Sequence, residues 1–301
     1  MNKRFISVGI GLGLAVILVL VVFGAKRMHS TKELSGFMSV EEMISNDKLN
    51  EARNKIDEIA GEEPDARGLG KAYFELADSY EKKGNLVEAR DIYETILNKY
   101  QNIENILEVQ ERLGEVNTKI LFSSVVTDED ALYEVEPGDT LFKIAKRFGT
   151  TIDLIRASNS IEGDMIRARS KLKVSKTKYE VVVDKSQNLL TLLTDKGSVF
   201  KVYKVSTGEN NSTPVGSFKI INKVKDPVWY TQGAIVPAES PDNILGSRWL
   251  GLSVPGYGIH GTVDPDSVGT QATKGCIRML PSDVEEFYAI VPLGTQVTIA
   301  D

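Results

Sequence analysis

The chain has few residues that can serve as nucleophiles or metal ligands, with one cysteine and two histidines among 301 residues. A single cysteine excludes an intramolecular disulfide and any metal site built from several thiolates. The shortage of histidine disfavours a zinc-dependent peptidase, whose metal needs paired histidines. We therefore expect no metal and no other cofactor.

A strong excess of positive charge is also missing. The net charge is −6, and no segment concentrates lysine and arginine as a nucleic-acid-binding face does. Nucleic acid is therefore excluded as a partner. A proline-rich linker is absent near 176–179, which predicts that the modules on either side lie close together.

One long hydrophobic run occurs, at the N-terminus. Residues 5–25 carry no charge, and a helix of that length can cross a hydrocarbon core of about 30 Å. A cleaved signal peptide is the alternative, although its apolar region is ordinarily shorter, about 7–15 residues. The sequence favours an uncleaved membrane anchor over 1–32, with 5–25 as the transmembrane helix.

Residues 33–125 have the periodicity of helical hairpins. Between 70 and 100, apolar residues line one face of each of two helices, which are joined by a turn at Gly84-Asn85. These residues are Tyr73, Leu76, Ala77, Tyr80, Leu86, Ala89, Tyr93 and Ile96. Their spacing resembles a tetratricopeptide repeat. Both a groove for a protein partner and a spacer that packs on itself remain open.

Residues 132–176 predict a compact βααβ module. Its features are a strand at 133–135, a turn at Pro137-Gly138, a helix capped by Asp139 or Thr140 and ending at Gly149, a second helix from Thr151, and a strand at 172–174. The run Val-x-Pro-Gly-Asp-Thr-Leu with the later Ala157-Ser158-Asn159 resembles a LysM domain. That resemblance implies binding to N-acetylglucosamine-containing glycans such as peptidoglycan, with Asn159 as a contact. A small structural domain is the alternative.

Residues 179–300 predict a mainly-β domain with one late helix. Alternating strands are expected at 179–183, 189–194, 199–205 and 217–223. The helix is expected from Ser282, where Ser282-x-x-Glu285 has the form of a capping box. Trp229, Tyr230 and Trp249 are candidates for the wall of a substrate cleft, although large aromatic residues are more often core.

The cysteine lies in Thr273-Lys274-Gly275-Cys276-Ile277-Arg278-Met279, which follows Ile259-His260-Gly261-Thr262. If 273–279 is extended, Lys274, Cys276 and Arg278 project to one face and the apolar residues between them face a core. Two cations beside the sulfur would favour the thiolate, which is the nucleophilic form. His260 is the plausible base, because the other histidine lies beside the apolar anchor. An inert buried cysteine is the alternative.

The pattern His-Gly, a spacer, and Ser/Thr-x-Gly-Cys-x-Arg resembles the catalytic signature of the YkuD-type L,D-transpeptidases. The match extends over 179–300 and includes Ser206-Thr207-Gly208 and the segments 213–218 and 243–249. It departs at Lys274, where many members carry histidine. The resemblance implies a peptidoglycan tetrapeptide stem as donor, cut before its terminal D-alanine. The acceptor is then an amine of another stem, which gives a cross-link in cell-wall biogenesis.

That chemistry gives each residue of the motif an expected role. Cys276 attacks the stem carbonyl and forms a thioester, while His260 takes the thiol proton and returns it to the leaving amine. Arg278 anchors either a substrate carboxylate or its own loop. Backbone N–H groups of Lys274, Gly275 and Cys276 form an oxyanion hole, Gly275 leaves room for substrate at the main chain, and Gly261 and Thr262 orient the imidazole.

Two other functions use the same residues differently. If water reaches the thioester first, the product is that of an L,D-carboxypeptidase. If the catalytic domain is inactive, the chain is a membrane-tethered glycan-binding scaffold, but the presence of both His260 and Cys276 argues against this. Because peptidoglycan lies outside the cytoplasm, we expect the body of the protein in the periplasm or cell-wall space.

Overall fold

The structure is a computed structural model that describes residues 35–231 and 233–301. It divides into two compact units, Met1–Val109 and Gln110–Asp301. The predicted membrane anchor at 5–25 lies outside the described residues. Within the described ranges, no helix has both the length and the apolar character that a bilayer crossing needs.

The first unit is helical, as predicted. Its helices are α1 over 35–45, α2 Leu49–Glu62, α3 Leu69–Lys82, α4 Leu86–Lys99 and the beginning of α5, Ile106–Phe122. Gly84 closes the turn between α3 and α4 with φ of 79°, a left-handed conformation that glycine adopts without steric cost. The α-helical character of this region is confirmed, and its identity as tetratricopeptide repeats stays a prediction.

Tyrosines rather than leucines fill part of the α2–α3 contact. Tyr73 and Tyr80 are buried on α3, and their hydroxyls donate to Asp57 Oδ1 at 2.6 Å and Asn50 Oδ1 at 2.8 Å on α2. The ring of Tyr73 also stacks on Tyr100, with centroids 5.4 Å apart. Each tyrosine therefore buries an apolar ring while its hydroxyl keeps a partner, as a buried polar group requires.

The predicted βααβ module is present in the second unit. It consists of β1 Asp130–Glu134, α6 Leu141–Phe148, α7 Ile152–Ser158 and β2 Lys171–Ser175, with β1 and β2 antiparallel. The Thr140 and Thr151 hydroxyls cap the two helices by accepting from the backbone N–H groups of Lys143 and Leu154. Gly149 ends α6 with φ of 62°. Threonine is thus the cap at both helix starts.

Lys173 ties this module to the end of α5. Its side chain is 3% exposed, and Nζ donates to the carbonyls of Ile120 at 2.7 Å and Ser123 at 2.9 Å. Burial lowers the pKa of Lys173, and Asp130, 3.7 Å away, partly offsets this. Asn117 Nδ2 also donates to the Phe200 carbonyl at 2.9 Å. These bonds attach the end of α5 to the second unit, which explains why the boundary lies within α5 and not at 125, the predicted end of the helical region.

The rest of the second unit is a closed β-barrel. Its strands are β3 Tyr179–Asp184, β4 Leu189–Thr194, β5 Val199–Gly208, β6 Gly216–Lys225, β9 Arg248–Leu252, β10 Gly258–His260, β11 Gln271–Thr273, β12 Ile277–Met279 and β13 Gln296–Ala300. Among the described residues their order is β11-β5-β12-β10-β9-β6-β13-β3-β4, and β4 pairs with β5 to close the ring. A separate hairpin joins β7 Trp229–Thr231 to β8 Ala234–Val236.

One helix, α8 Pro281–Ile290, packs its apolar face into the barrel core. It begins one residue earlier than predicted, with Pro281 at its first position and Leu280 before it. Ser282 makes no capping bond, so the predicted capping box is wrong. Glu285 instead accepts a hydrogen bond from Ser247 Oγ at 2.7 Å. A proline at this position lacks an N–H, so the helix start has one unpaired donor fewer.

The βααβ module is fixed to the barrel through α7. The Thr151 hydroxyl donates to the Ala289 carbonyl on α8, and Lys225 Nζ lies 2.6 Å from Asp153 Oδ1. Leu154 is buried in the same core cluster as the barrel strands. The module is therefore part of one packed unit with the barrel, in agreement with the short junction expected near 176–179.

We predict that Lys173→Met destabilises the second unit by about 1–3 kcal/mol, because the Ile120 and Ser123 carbonyls each lose one donor and the Asp130 carboxylate loses its cation. Lys171→Met is the matched control, since Lys171 is an exposed lysine on the same strand. Urea unfolding followed by tryptophan fluorescence measures the difference, because both tryptophans lie in the second unit. Equal free energies of unfolding for the two variants would contradict this role of Lys173.

Candidate active site

A row of four side chains crosses four neighbouring strands of the barrel. Trp249 on β9 is paired with His260 on β10, His260 with Arg278 on β12, and Arg278 with Ser206 on β5. Ile259 and Ile277, the neighbours of His260 and Arg278, point into the core. Because side chains alternate along a strand, the row lies on the opposite face, and Cys276 directly precedes β12 in the chain.

The segment that carries the cysteine is not extended throughout, as the sequence had suggested. β11 runs parallel to β5 whereas β12 runs antiparallel to it, so the chain must reverse at 274–276. Ile277 and Met279 face the core as predicted, but Lys274 lies exposed in the bend. Lys274 and Cys276 both lie in this bend, so of the three expected side chains only that of Arg278 stands on an extended strand.

Gly275 is required by the turn itself. Its φ is 123°, and a Cβ at this position would come within 2.6 Å of the Tyr257 ring and 3.2 Å of the Ser212 carbonyl. An L side chain is therefore excluded both by conformation and by packing. The expectation that Gly275 leaves open space for substrate is corrected, because Tyr257 and Ser212 already occupy that side.

Burial sets the protonation states of the two reactive groups. It raises the pKa of the Cys276 thiol above its ordinary value, while the Gly258 N–H and the Arg278 cation oppose the change. It lowers the pKa of His260, which is 2% exposed, to about 4. The predicted resting thiolate is therefore wrong for this environment. At neutral pH the pair is a thiol and a neutral imidazole, because low polarity disfavours both charged forms.

The tautomer of His260 is fixed by the next residue. Its Nδ1 lies 2.7 Å from the Gly261 carbonyl oxygen. A carbonyl only accepts hydrogen bonds, so Nδ1 carries the proton and Nε2 keeps its lone pair. The Thr262 hydroxyl is engaged elsewhere, accepting from Asp264 N at 2.9 Å. Of the two residues expected to orient the ring, Gly261 contacts it directly.

Trp249 covers one side of the imidazole. The two rings are nearly parallel, at 17°, with centroids 6.0 Å apart. Trp249 Nε1 donates to Asn222 Oδ1 at 3.1 Å, which holds the indole in place. A Cβ on Gly258 would come within 2.6 Å of the indole, so glycine at that position permits the stack. Trp249 therefore helps to keep water from the His260 imidazole, and this exclusion of water lowers the pKa of His260.

The other aromatic candidates lie on the β7–β8 hairpin. Tyr230 is 73% exposed and Trp229 is half-buried, so the alternative that they are core residues is wrong, and their role as cleft-wall residues stays a prediction. Asn243 fixes the base of the hairpin, since its Nδ2 donates to the carbonyls of Pro227 at 2.8 Å and Pro237 at 3.1 Å. The hairpin therefore exposes aromatic side chains to solvent while the Asn243 hydrogen bonds hold its base in place.

Arg278 is held by the loop between β10 and β11. Its Nη1 donates to Ser267 Oγ at 2.8 Å, and the Ser206 hydroxyl donates to the Ser267 carbonyl at 2.6 Å. Its Nε is buried without a hydrogen-bond partner. Of the two roles left open for Arg278, the contacts of its Nη1 are those of a loop anchor.

Asn159 has no side-chain group left for a ligand. Its amide nitrogen donates to the carbonyls of Ile155 and Lys173, both at 2.8 Å, and its oxygen accepts from Lys173 N at 2.8 Å. These bonds join α7 to β2. The predicted substrate contact by Asn159 is therefore corrected to a structural role, because its donors and acceptor are used inside the module.

Several residues of the site have no role in the sequence-based interpretation. Asn222 follows a bulge between β6 and β9, and Ser267 lies in a short turn, so neither has a local signature. Thr213 and Ser206 belong to segments that carry the family resemblance, which is the signal that could have drawn attention to them. Within the described ranges, no cluster of three or more histidine, cysteine or acidic side chains could hold a metal ion.

Comparison with known proteins assigns both modules of the second unit. Residues 178–299 match the YkuD L,D-transpeptidase catalytic domain, and residues 133–175 match the LysM domain. YkuD of Bacillus licheniformis is 33% identical over 176 residues, covering 56% of this chain and 98% of the relative. YkuD of Bacillus subtilis is 36% identical over 174 residues, covering 56% and 97%.

A further relative, YqjB of Bacillus subtilis, is 39% identical over 127 residues, covering 40% of this chain and 70% of the relative. All three relatives carry L,D-transpeptidase in their names. The fold and these matches define an L,D-transpeptidase catalytic domain preceded by a LysM domain. The chain belongs to the YkuD family of L,D-transpeptidases, which are cysteine-dependent acyltransferases.

We predict that the Cys276 thiol of the free enzyme reacts slowly with iodoacetamide at neutral pH. The alkylation rate should increase with pH, and the pH at which it is half-maximal should lie above the ordinary cysteine pKa of about 8.5. Arg278→Gln should move that midpoint further up, because the lost cation had favoured the thiolate. Alkylation rates between pH 6 and 11 measure both values. A rate already at its plateau at pH 7 would show a resting thiolate and contradict the prediction.

Proposed function

We propose that Cys276 is the nucleophile and His260 the general base of a peptidoglycan L,D-transpeptidase. The observation that carries this proposal is the His260 tautomer, in which Gly261 binds Nδ1–H and leaves Nε2 free to accept a proton. The pairing of β10 with β12 supports it as well, because it places His260 opposite Arg278, two residues from Cys276.

The reaction starts from a neutral pair. As Cys276 Sγ attacks the stem carbonyl, its proton passes to His260 Nε2, so that thiolate and imidazolium need not form before the S–C bond. The tetrahedral intermediate then collapses to a thioester, and the imidazolium returns the proton to the departing amine of D-alanine. An amine of a second stem attacks the thioester, loses its proton to His260, and regenerates the thiol.

The backbone N–H groups of Lys274 and Cys276 are the proposed oxyanion hole. The Gly275 N–H, which was also expected to take part, donates to Thr273 Oγ1 at 3.1 Å instead. Preorganised N–H donors stabilise the developing oxyanion, and removing one such donor typically costs about 3–4 kcal/mol of transition-state stabilisation. Arg278 adds a positive charge near the sulfur, since it is one of the groups that lower the pKa of Cys276. Trp229 and Tyr230 on the β7–β8 hairpin are proposed to contact the stem, as their exposure permits.

Family membership favours an amine over water as the acceptor, which gives a cross-link between two stems. Hydrolysis of the same thioester, as in an L,D-carboxypeptidase, is the second candidate, since both reactions share every step before deacylation. A purely glycan-binding scaffold accounts less well for a histidine held in the tautomer that a base requires.

The LysM module is proposed to bind the glycan strands of peptidoglycan. Exposed apolar side chains on it, Phe142 and Met165, can pack against sugar rings. Because α7 is bonded to the barrel through Thr151 and Asp153, a glycan bound by LysM is held at a fixed position relative to the barrel.

The N-terminal part of the chain supports a proposal on location. The uncharged run at 5–25 is proposed as a single membrane anchor, which holds the catalytic body in the periplasm or cell-wall space. The helical unit is proposed to be a tetratricopeptide-like region with a protein partner or a spacer role. Its α3–α4 hairpin, with Ala77 and Ala89 buried, supports a close helix pair of that kind.

We predict that Cys276→Ala abolishes turnover of a disaccharide tetrapeptide while binding to insoluble peptidoglycan persists. The alanine removes the nucleophile but leaves the LysM module unchanged. Mass spectrometry of the wild-type reaction identifies the acceptor, with cross-linked dimers expected. Tripeptide and free D-alanine alone would favour the carboxypeptidase, and turnover by Cys276→Ala would reject the nucleophile assignment.

A further inference from the structure

We propose that Thr213 is a positioning residue whose hydroxyl fixes the peptide bond between Gly275 and Cys276 in the orientation that acylation requires. This rests on the proposed role of Cys276 as the nucleophile. Thr213 lies in the loop between β5 and β6, is 2% exposed, and its Oγ1 lies 2.9 Å from the Gly275 carbonyl oxygen. It reaches this turn from a distant part of the sequence.

The direction of the Thr213 hydroxyl is fully determined. The Gly208 N–H donates to Thr213 Oγ1 at 2.7 Å, and an N–H can only donate. The Gly275 carbonyl can only accept, so the single hydroxyl proton must point at it. Thr213 Oγ1 therefore links the Gly208 N–H on β5 to the Gly275 carbonyl in the turn before Cys276. Both bonds form only when the hydroxyl points in this one direction.

This bond sets the direction of the Cys276 N–H. In a trans peptide the C=O of one residue and the N–H of the next point in opposite directions within one plane. Since the Gly275 carbonyl is directed at Thr213, the Cys276 N–H is directed away from Thr213. That N–H is one of the proposed oxyanion donors.

A second threonine restrains the other side of the nucleophile. The Thr273 hydroxyl donates to the Cys276 carbonyl at 2.6 Å and accepts from the Gly275 N–H at 3.1 Å. Together the Thr213 and Thr273 hydroxyls bind the Gly275 N–H, the Gly275 carbonyl and the Cys276 carbonyl. The Cys276 N–H is not used by either of them.

The turn needs such restraint because it is built on glycine. Gly275 has φ of 123°, and a glycine reaches several φ/ψ regions at little cost, so its peptide planes can rotate easily. Rotation of the Gly275–Cys276 plane would turn the Cys276 N–H away from an oxyanion while the sulfur stayed nearly in place. Thr213 opposes that rotation through a bond to the carbonyl of the same plane.

Two reactions of Cys276, acylation and alkylation, distinguish this role of Thr213 from a general effect on the fold. Acylation by a stem peptide passes through a tetrahedral oxyanion, whereas alkylation by iodoacetamide displaces iodide and forms no oxyanion. Loss of a correctly directed N–H should therefore slow acylation and leave alkylation nearly unchanged. Loss of the sulfur's position or of folded protein should slow both.

The experiment compares Thr213→Val, Thr213→Ser and Thr295→Val in the full chain. Valine matches the shape of threonine without the hydroxyl, and serine retains the hydroxyl. Thr295 is the matched control, since it is also buried and its hydroxyl also donates to a carbonyl, that of Pro292 at 2.8 Å, outside the proposed site. Release of D-alanine from a disaccharide tetrapeptide and iodoacetamide alkylation are measured at one pH.

We expect Thr213→Val to lower kcat by about 10²–10³-fold, the effect of losing one oxyanion donor. KM and the alkylation rate should each stay within about twofold of wild type, Thr213→Ser should recover most of kcat, and Thr295→Val should change neither rate. Unchanged kcat in Thr213→Val would overturn the proposal, as would an equal fall in kcat and alkylation. Retained turnover by Cys276→Ala would instead reject the proposed nucleophile.

Discussion

The pairing of β10 with β12 is the constraint on which the site depends. Its register aligns His260 with Arg278 and, through the neighbouring strands, extends the row to Trp249 and Ser206. A shift by one residue would turn these side chains into the core and bring the isoleucines out. The buried isoleucines of both strands therefore stabilise the register that the polar face needs.

Burial gives the site its chemical character. Trp249 and the strands around His260 exclude water, which keeps the imidazole neutral and the Cys276 thiol protonated. The main chain then supplies the hydrogen-bond partners that water would otherwise provide. The Gly261 carbonyl fixes the tautomer of His260, and the Gly258 N–H favours the thiolate of Cys276. In the proposed reaction, this neutral pair ionises only as the S–C bond forms.

The LysM module and the barrel are joined by packing as well as by sequence. Leu154 shares the barrel core, and Lys173 binds the carbonyl groups at the end of α5. Glycan binding and catalysis are therefore carried by one packed unit. Asn159 also serves the packing of this unit, because its side-chain amide joins α7 to β2 through hydrogen bonds.

The sequence by itself predicted the helices of the first unit, the βααβ module and the first four barrel strands, and it indicated Cys276 and His260 as candidate reactive residues. Period-two alternation predicted the strands from Tyr179 onward, threonine and glycine predicted the ends of α6, and the motif around Cys276 indicated the family. Only the tertiary structure decided the protonation states, the reversal at Lys274, and the contacts of Thr213 and Asn222. The physical reason is that pKa values and hydrogen-bond partners depend on groups distant in sequence, whereas alternation and helix capping are local.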